Sequence, residues 1–315
     1  MKNVLITGCA GFIGSHATDW FVSKGYNVLG VDSLTYAGNI NNLKQSASSI
    51  KFENVDIANT SKITSLCRDN QIDSIINFAA ETHVDNSIND VSPFVHSNIT
   101  GVISLLEVCK KLKIEMVQIS TDEIYGPCLE GSFVESSPFN PKNPYAASKA
   151  SSEHFITSFA NTFNIDYLIL RLSNNFGPRQ NKEKLLPKVI SNVLSKKTIP
   201  VYGNGLQKRE WLFVKDAAKL IEGAYSSCNR NEVYNITKHN EKHNIDVIKM
   251  ICEMMNTNSE ELIGYVSDRP GHDVRYSISN QKLSHILPID FMEYTENQFQ
   301  KDIQETISFY LEESR

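Results

Sequence analysis

Two short runs in this sequence carry residue types suited to proton transfer. In Tyr145-Ala-Ala-Ser-Lys149 a phenol and an ammonium stand four residues apart near the start of a helical pattern, a spacing that sets both on one face. A phenol with a pKa of about 10 is a poor base at neutral pH, and a nearby ammonium favours phenolate, so the Tyr145 pKa is expected to fall. Earlier in the chain, Thr121, Asp122 and Glu123 sit in the run Ser120-Thr-Asp-Glu-Ile-Tyr-Gly126, just past a predicted strand. Two neighbouring carboxyl groups disfavour double ionisation, which helps to keep one of them protonated. Each run also has a plainer reading when taken alone: a surface Tyr and Lys, and a solvated acidic loop or helix cap.

The elements that would hold these residues can be read from the apolar pattern. Strand-like runs fall at Asn3–Thr7, Asn27–Asp32, Ile50–Val55, Ser74–Phe78, Met116–Ser120 and Asp166–Arg171. Several are apolar throughout, as strands buried on both faces should be. Helical patterns lie between them, notably Phe12–Ser23, Pro93–Leu112 and Pro144–Thr162. This rhythm predicts an α/β fold, a Rossmann-type doubly wound parallel sheet, with Thr121–Glu123 at its carboxyl edge, where such sheets bind ligands. After about residue 172 Pro and Gly cluster and shorter elements follow, including helices near Ile245–Met255 and Lys301–Leu311. Residues 1–172 are therefore expected to form the cofactor domain, with later segments returning to it. Residues 173–315 are expected to form mainly a smaller substrate-binding lobe.

Gly8-Cys-Ala-Gly11-Phe12-Ile13-Gly14 follows the first strand directly and opens a helix. The first glycine permits the tight turn, the second lets backbone approach a pyrophosphate, and the third lets helix and strand pack closely. The helix N-terminus offers Phe12 and Ile13 N–H groups and a partial positive charge to phosphate. Three glycines alone can be no more than a glycine-rich turn. Asp32, at the end of the second strand, changes the odds: its carboxylate suits the two ribose hydroxyls and repels a 2′-phosphate, which predicts NAD over NADP. Asp56 and Ile57 after the third strand can reach the adenine, and Ala79 and Ala80 after the fourth are small enough to lie beside the cofactor. A positive nicotinamide would add to the pull of Lys149 on the Tyr145 proton.

Bulk properties exclude several classes. The 315 residues carry a formal charge of −5, with 41% hydrophobic and 21% charged residues, which gives no footprint for nucleic acid or a membrane surface. No apolar stretch is long enough to span a bilayer, and no secretory signal is visible at the start. The six cysteines are scattered without metal-ligand spacing, so no metal site is expected and reduced thiols in the cytoplasm are the plain reading.

The chain resembles the extended short-chain dehydrogenase/reductases, and within them the nucleoside-diphosphate-glucose 4,6-dehydratases of the dTDP-glucose type. The resemblance is carried by GCAGFIG at 8–14, VDSLTYAGN at 31–39, AAETHVDNSI at 79–88, STDEIYG at 120–126, NPYAASKASSEH at 143–154, SNNFGP at 173–178, EKLLP at 183–187, GLQKREWL at 205–212 and DRPGHDVRY at 268–276. It implies a lyase that oxidises C4 of the sugar, removes water across C5–C6 and returns hydride to C6, in deoxysugar biosynthesis. Tyr145, assisted by Lys149, would take the 4-hydroxyl proton and Thr121 would hold the same oxygen. Glu123 would remove the C5 proton as general base, and Asp122 would protonate the departing 6-hydroxyl as general acid. Related epimerases and decarboxylases usually lack both carboxylates, so the triplet separates dehydration from 4-epimerisation or decarboxylation on the same scaffold. A non-catalytic NAD-binding protein would not need the intact set.

The resemblance also implies a nucleotide grip. Asn174 and Arg209 would contact the diphosphate, with Lys184, Asn235, Arg269 and His272 in support, His83 near the sugar, and Pro200–Tyr202 along the base. The bland reading for each Arg or Lys is a solvated charge, and for His83 a structural hydrogen bond. GLQKREWL favours dTDP-glucose. Asn86, where the bacterial dTDP enzymes often have Arg, leaves UDP-glucose as the alternative, and Ser33 replaces a frequent Lys on the adenosine side. Apolar residues in excess of one sheet-facing stripe (Ile103, Leu105, Leu106, Val108, Phe155, Ile156 and Phe159), together with the resemblance, predict a homodimer packed through two helices of each subunit; the plainer reading is that both stripes face the sheet.

Overall fold

The computed structural model describes residues 2–267 and 274–314. Its strands are β1 (Asn3–Thr7), β2 (Asn27–Asp32), β3 (Lys51–Asn54), β4 (Ser74–Asn77), β5 (Glu115–Thr121), β6 (Tyr167–Leu172), β7 (Asn174–Phe176), β8 (Ile199–Tyr202), β9 (Lys208–Phe213), β10 (Glu232–Ile236), β11 (Glu241–His243) and β12 (Ile263–Val266). Seven of these form one parallel sheet in the order β10-β6-β5-β4-β1-β2-β3. The six expected strands are all in it, two with the expected bounds and four shifted by a single residue at one or both ends.

Both faces of this sheet are covered, which is why its strands read as unbroken apolar runs. Val4 and Ile6 of β1 pack with Phe21 and with Leu220, Ile221 and Ala224 of the helix Val214–Ser227. Leu5, between them, points the other way into a second core with Ile63, Leu105, Leu106 and Ile156. Leu105, Leu106, Val108 and Ile156 are thereby fully buried within this chain. That corrects the reading of them as an intersubunit stripe: helices lying on a sheet spend these residues on it. Phe155 remains exposed, while Ile103 and Phe159 are half-buried.

Chain order reverses beside β1: β2 lies on one side of it and β4 on the other. The crevice at that reversal is the place where open α/β sheets receive ligands. The helices expected at 12–23 and 144–162 are observed at Phe12–Ser23 and Pro144–Phe163. The latter begins with Asn143 as cap, its side-chain oxygen accepting from Ala146 N at 2.8 Å, and with Pro144 in the first turn, where a missing N–H costs nothing. The helix from Ser92 to Leu112 is continuous, but Val95–Thr100 is widened into a π segment. That bulge brings buried Asn98 to where its amide bonds Glu81 N, Glu81 O and Ser148 Oγ, tying the end of β4 to the Tyr145 helix.

The later half of the chain builds a small mixed sheet, β11-β9-β7, and the pair β12-β8. Their core holds Phe176, Trp211, Phe213, Ile248, Ile251, Phe299 and Ile303, with the helices Leu185–Leu194, Asn244–Met254 and Glu296–Glu313 packed around it. The chain also returns to the large sheet: β10 pairs with β6 at the edge. No helix among the described residues is long and apolar enough to cross a membrane, and all six cysteines are buried and unpaired.

Phe176 is fully buried and its ring meets those of Trp211, Phe213 and Phe299. Phe176→Ala is expected to destabilise the protein by about 3–5 kcal/mol, the usual cost of emptying such a site. A chemical denaturation curve should show a lowered midpoint with unchanged slope, and an unchanged midpoint would refute this packing.

Candidate active site

The glycine loop has the geometry its spacing predicts. Gly8 has φ +65°, and a Cβ there would lie 2.6 Å from Ala79 N, so the loop and the end of β4 approach with nothing between them. A Cβ on Gly14 would meet Gly8 O at 2.1 Å, which is the close helix–strand contact that requires glycine. Gly11 precedes the helix and no side chain caps it, which leaves the first-turn N–H groups of Phe12 and Ile13 for an anion. Asp32 is held by Ala10 N to Oδ2 at 2.9 Å and Leu34 N to Oδ1 at 2.8 Å. Its burial raises the carboxyl above its ordinary range, against these two bonds. Gly8, Gly11, Asp32, Asp56, Ile57, Ala79 and Ala80 line one crevice, the set expected to take a dinucleotide. Asp56 there accepts from Ala58 N and meets His96 Nε2 at 2.8 Å, while Ile57 packs over Gly101. A glycine cradle, an uncapped helix start and a fixed carboxylate together fit NAD.

The reactive groups converge where β5 ends. Thr121 closes the strand, and its Oγ1 accepts from Glu123 N and donates to Asp122 Oδ1, each at 3.3 Å. Asp122 is 3% exposed and its Oδ2 has no partner. Burial above all, then the charges of Glu123 and Glu210, hold its carboxyl well above the usual range. Glu123 Oε2 accepts from Asn143 Nδ2 at 3.1 Å, so the cap of the Tyr145 helix also fixes the second carboxylate. The Tyr145 phenol is in hydrogen-bond contact with Thr121.

The expected fall of the Tyr145 pKa is not what the protein alone produces. Burial, with Glu123 and Asp122 adding to it, pushes the phenol upward. Lys149 is on the same helix and buried, but its Nζ donates to Ile119 O at 2.7 Å. Burial lowers the ammonium to about 8. The helical spacing sets phenol and ammonium on one helix, but it carries no information on the two carboxyl groups that act on the phenol from another element.

Next to this cluster lies a cavity of about 570 Å³ between the sheet edge and the smaller lobe. His83, Glu123, Asn174, Lys184, Arg209 and the Pro200–Tyr202 wall all line it. Asn174 Oδ1, Trp211 Nε1 and Asn244 Oδ1 are buried there without partners, which is where a polar ligand can bond. Lys182, Lys188 and Asn244 line it too from outside the quoted motifs, and Gln207 and Trp211 line it from within GLQKREWL. Arg209 stacks on Tyr276 at 4.4 Å and donates to Lys208 O. Lys184 donates to Thr82 O, and His83 accepts from Asn86 N, capping a short helix.

Asn235 is placed elsewhere. It is fully buried in β10, where its amide accepts from Tyr125 and donates to Phe133 O, so its polar groups are spent inside the fold. Arg269 and His272 lie outside the described residues. A second cavity, of about 560 Å³, lies against the outer face of the Phe12–Ser23 helix and holds none of the candidate residues. Among the described residues no cluster suited to a metal ion occurs.

Comparison with known proteins agrees with this geometry. The family model for GDP-mannose 4,6 dehydratase matches residues 5–288. The dTDP-glucose 4,6-dehydratase of Xanthomonas campestris pv. campestris is 38% identical over 333 residues, covering 99% of this chain and 93% of that one. The crystal structure of dTDP-glucose 4,6-dehydratase from Bacillus anthracis in complex with NAD superposes with TM-score 0.90 at 36% identity, covering 99% and 97% of the two chains. The dTDP-glucose 4,6-dehydratase of Streptomyces venezuelae, also with NAD bound, gives TM-score 0.93 at 34% identity, covering 98% and 97%. The chain therefore belongs to the GDP-mannose 4,6 dehydratase family of extended short-chain dehydrogenase/reductases, among relatives named dTDP-glucose 4,6-dehydratase.

Proposed function

We propose that the protein is an NAD-dependent dTDP-glucose 4,6-dehydratase, a hydro-lyase that yields dTDP-4-keto-6-deoxyglucose. The observation that carries this reading is the Asp122–Glu123 pair beside Tyr145. One carboxyl is buried and raised well above its ordinary range, and the other is tied to the cap of the Tyr145 helix. A 4-epimerase needs the phenol and the glycine loop but neither carboxylate.

Residues 1–172 serve mainly the cofactor, and 173–315 mainly the nucleotide sugar. Gly8, Gly11, Phe12, Ile13 and Gly14 hold the pyrophosphate, Asp32 the ribose, Asp56 and Ile57 the adenine side, and Ala79 and Ala80 flank the dinucleotide. When bound, NAD supplies the hydride acceptor for C4 and the donor for C6, and its positive ring opposes the upward push on the Tyr145 phenol. Tyr145 takes the 4-hydroxyl proton while Thr121 fixes that oxygen, and Lys149 adds positive charge beneath them. The C4 ketone acidifies C5–H, Glu123 removes that proton, and Asp122 protonates the leaving 6-hydroxyl. Asn174 and Arg209 bind the diphosphate, supported by Lys184 and His83. Arg suits two-pronged phosphate contact. Lys182, Lys184, Lys188 and Arg209 line this cavity beside Asp85, Glu123 and Glu183, and these four cations are the groups that can meet a diphosphate in a chain of net charge −5.

Glu123→Gln and Asp122→Asn should each lower dehydration of dTDP-glucose by about 10²–10⁴-fold. Both should still reduce bound NAD, because Tyr145 and Lys149 remain, whereas Tyr145→Phe should form no NADH. Single-turnover absorbance at the NADH band, with deuterium incorporation at C5, separates these steps. Normal dehydration by Glu123→Gln would sink the assignment, and faster turnover of UDP-glucose would move the base to uracil.

Asp32 should make the stripped enzyme prefer NAD to NADP, and Asp32→Ala should narrow that preference. Equal reactivation of the wild type by both cofactors would contradict the role.

A homodimer is the proposed assembly, through exposed Val91, Val95, Phe155 and Phe163 on and beside the two long helices. Light scattering should give twice 35.5 kDa, and a monomer at micromolar concentration would end the idea.

A further inference from the structure

Beneath the reactive cluster lies an ion pair between Glu153, inside the run NPYAASKASSEH, and Arg171 of β6. Glu153 and Arg171 are 2% and 3% exposed, and the guanidinium grips the carboxylate through Nη2–Oε2 at 2.6 Å and Nε at 3.1 and 3.2 Å. Glu153 belongs to the Tyr145 helix, one turn beyond Lys149, and Arg171 belongs to β6. The pair does not reach the cavity that would hold the sugar, and it binds both ends of the segment that does. At one end Ser120 Oγ donates to Glu153 Oε1 at 2.5 Å. At the other, Arg171 Nη1 donates to the Tyr125 hydroxyl, which itself donates to Asn235 Oδ1 at 2.9 Å. Arg171 also stacks on the Tyr125 ring at 4.9 Å. Between these two anchors stand Thr121, Asp122 and Glu123. Lys149, through Ile119 O, adds a third tie from the same helix to the residue before Ser120.

We propose that the buried Glu153–Arg171 pair is a positioning device that clamps both ends of the Thr121–Glu123 segment to the helix carrying Tyr145 and Lys149, so that the elimination residues and the oxidation residues keep one fixed spacing. The inference rests on the dehydratase reading of those residues. A two-step reaction on one sugar needs phenol, acid and base registered together, and they come from two elements joined through this pair. Misplacement by about 1 Å can cost on the order of 100-fold in rate. A structural ion pair alone makes a different forecast, since replacing a buried pair by apolar residues of similar volume is often neutral for stability.

The test uses the full-length enzyme with dTDP-glucose and four variants. Ser120→Ala and Tyr125→Phe each cut one anchor and leave the ion pair intact. Glu153→Gln breaks the pair. Glu153→Leu with Arg171→Met removes it while filling the space, and covers the case in which Glu153→Gln fails to fold. Each anchor variant should lower kcat by about 10–100-fold, with KM for the nucleotide sugar within about twofold, because the cavity's own residues are untouched. Amide exchange in peptide 119–126 should quicken in both, while exchange in β1 and β4 stays slow. The filled double variant should keep its melting temperature and lose kcat. Unchanged kcat and unchanged exchange in the two anchor variants, or full turnover by the filled double variant, would overturn the proposal. Failure of the dehydratase reading looks different: the wild type itself would not turn over dTDP-glucose, while the exchange difference at 119–126 would persist.

Discussion

The site depends on burying ionisable groups at the carboxyl edge of the sheet without leaving them uncompensated. An ion taken from water into protein costs several kcal/mol, and a broken buried pair about 3–5 kcal/mol. The fold meets this group by group. Asp32 takes two backbone N–H bonds, Lys149 a carbonyl, and Glu153 a guanidinium and a hydroxyl. Asp122 is treated differently. Its Oδ2 has no partner, and burial beside Glu123 raises its carboxyl instead. A carboxyl raised in this way among compensated neighbours is suited to act as an acid, so the exception in the pattern coincides with the chemistry.

The same edge joins two clefts. Where chain order reverses beside β1, Gly8 and Ala79 approach so closely that no side chain fits between them, and the crevice opens on their carboxyl side. The loop after β2 reaches from this crevice to the smaller lobe, where the Tyr36 hydroxyl donates to Glu183 at 3.2 Å. Glu183 also stands 3.9 Å from His83, so residues from the cofactor side and the nucleotide side share one network. The lobe is carried on its own apolar core around Phe176 and Trp211, yet the chain returns through β10 to complete the large sheet. Asn235 belongs to that return and not to the cavity, which explains its full hydrogen bonding.

Much was legible from residue order because it is local. Strand bounds followed from runs buried on both faces, the helices from the apolar patterns between them, and the dinucleotide crevice from glycine spacing followed by Asp32. Each is decided within a few residues by sterics or by a period. The convergence of His83, Asn174, Lys184 and Arg209 on one cavity was reached through resemblance, since four separate runs contribute and no spacing links them.

What the sequence determined by itself was which residues could react and which element carries each: Tyr145 and Lys149 on one helix, and Thr121, Asp122 and Glu123 at the end of one strand. Only the tertiary structure decided their electrical state. Tyr145 is pushed up and not down, first by burial and then by Glu123 and Asp122, while the Lys149 ammonium is committed to Ile119 O. It also decided that Leu105, Leu106, Val108 and Ile156 serve the chain's own core, that a π segment aims Asn98 inward, and that Glu153 meets Arg171. Burial and charge depend on what lies across space, and partners on separate elements leave no period in a sequence.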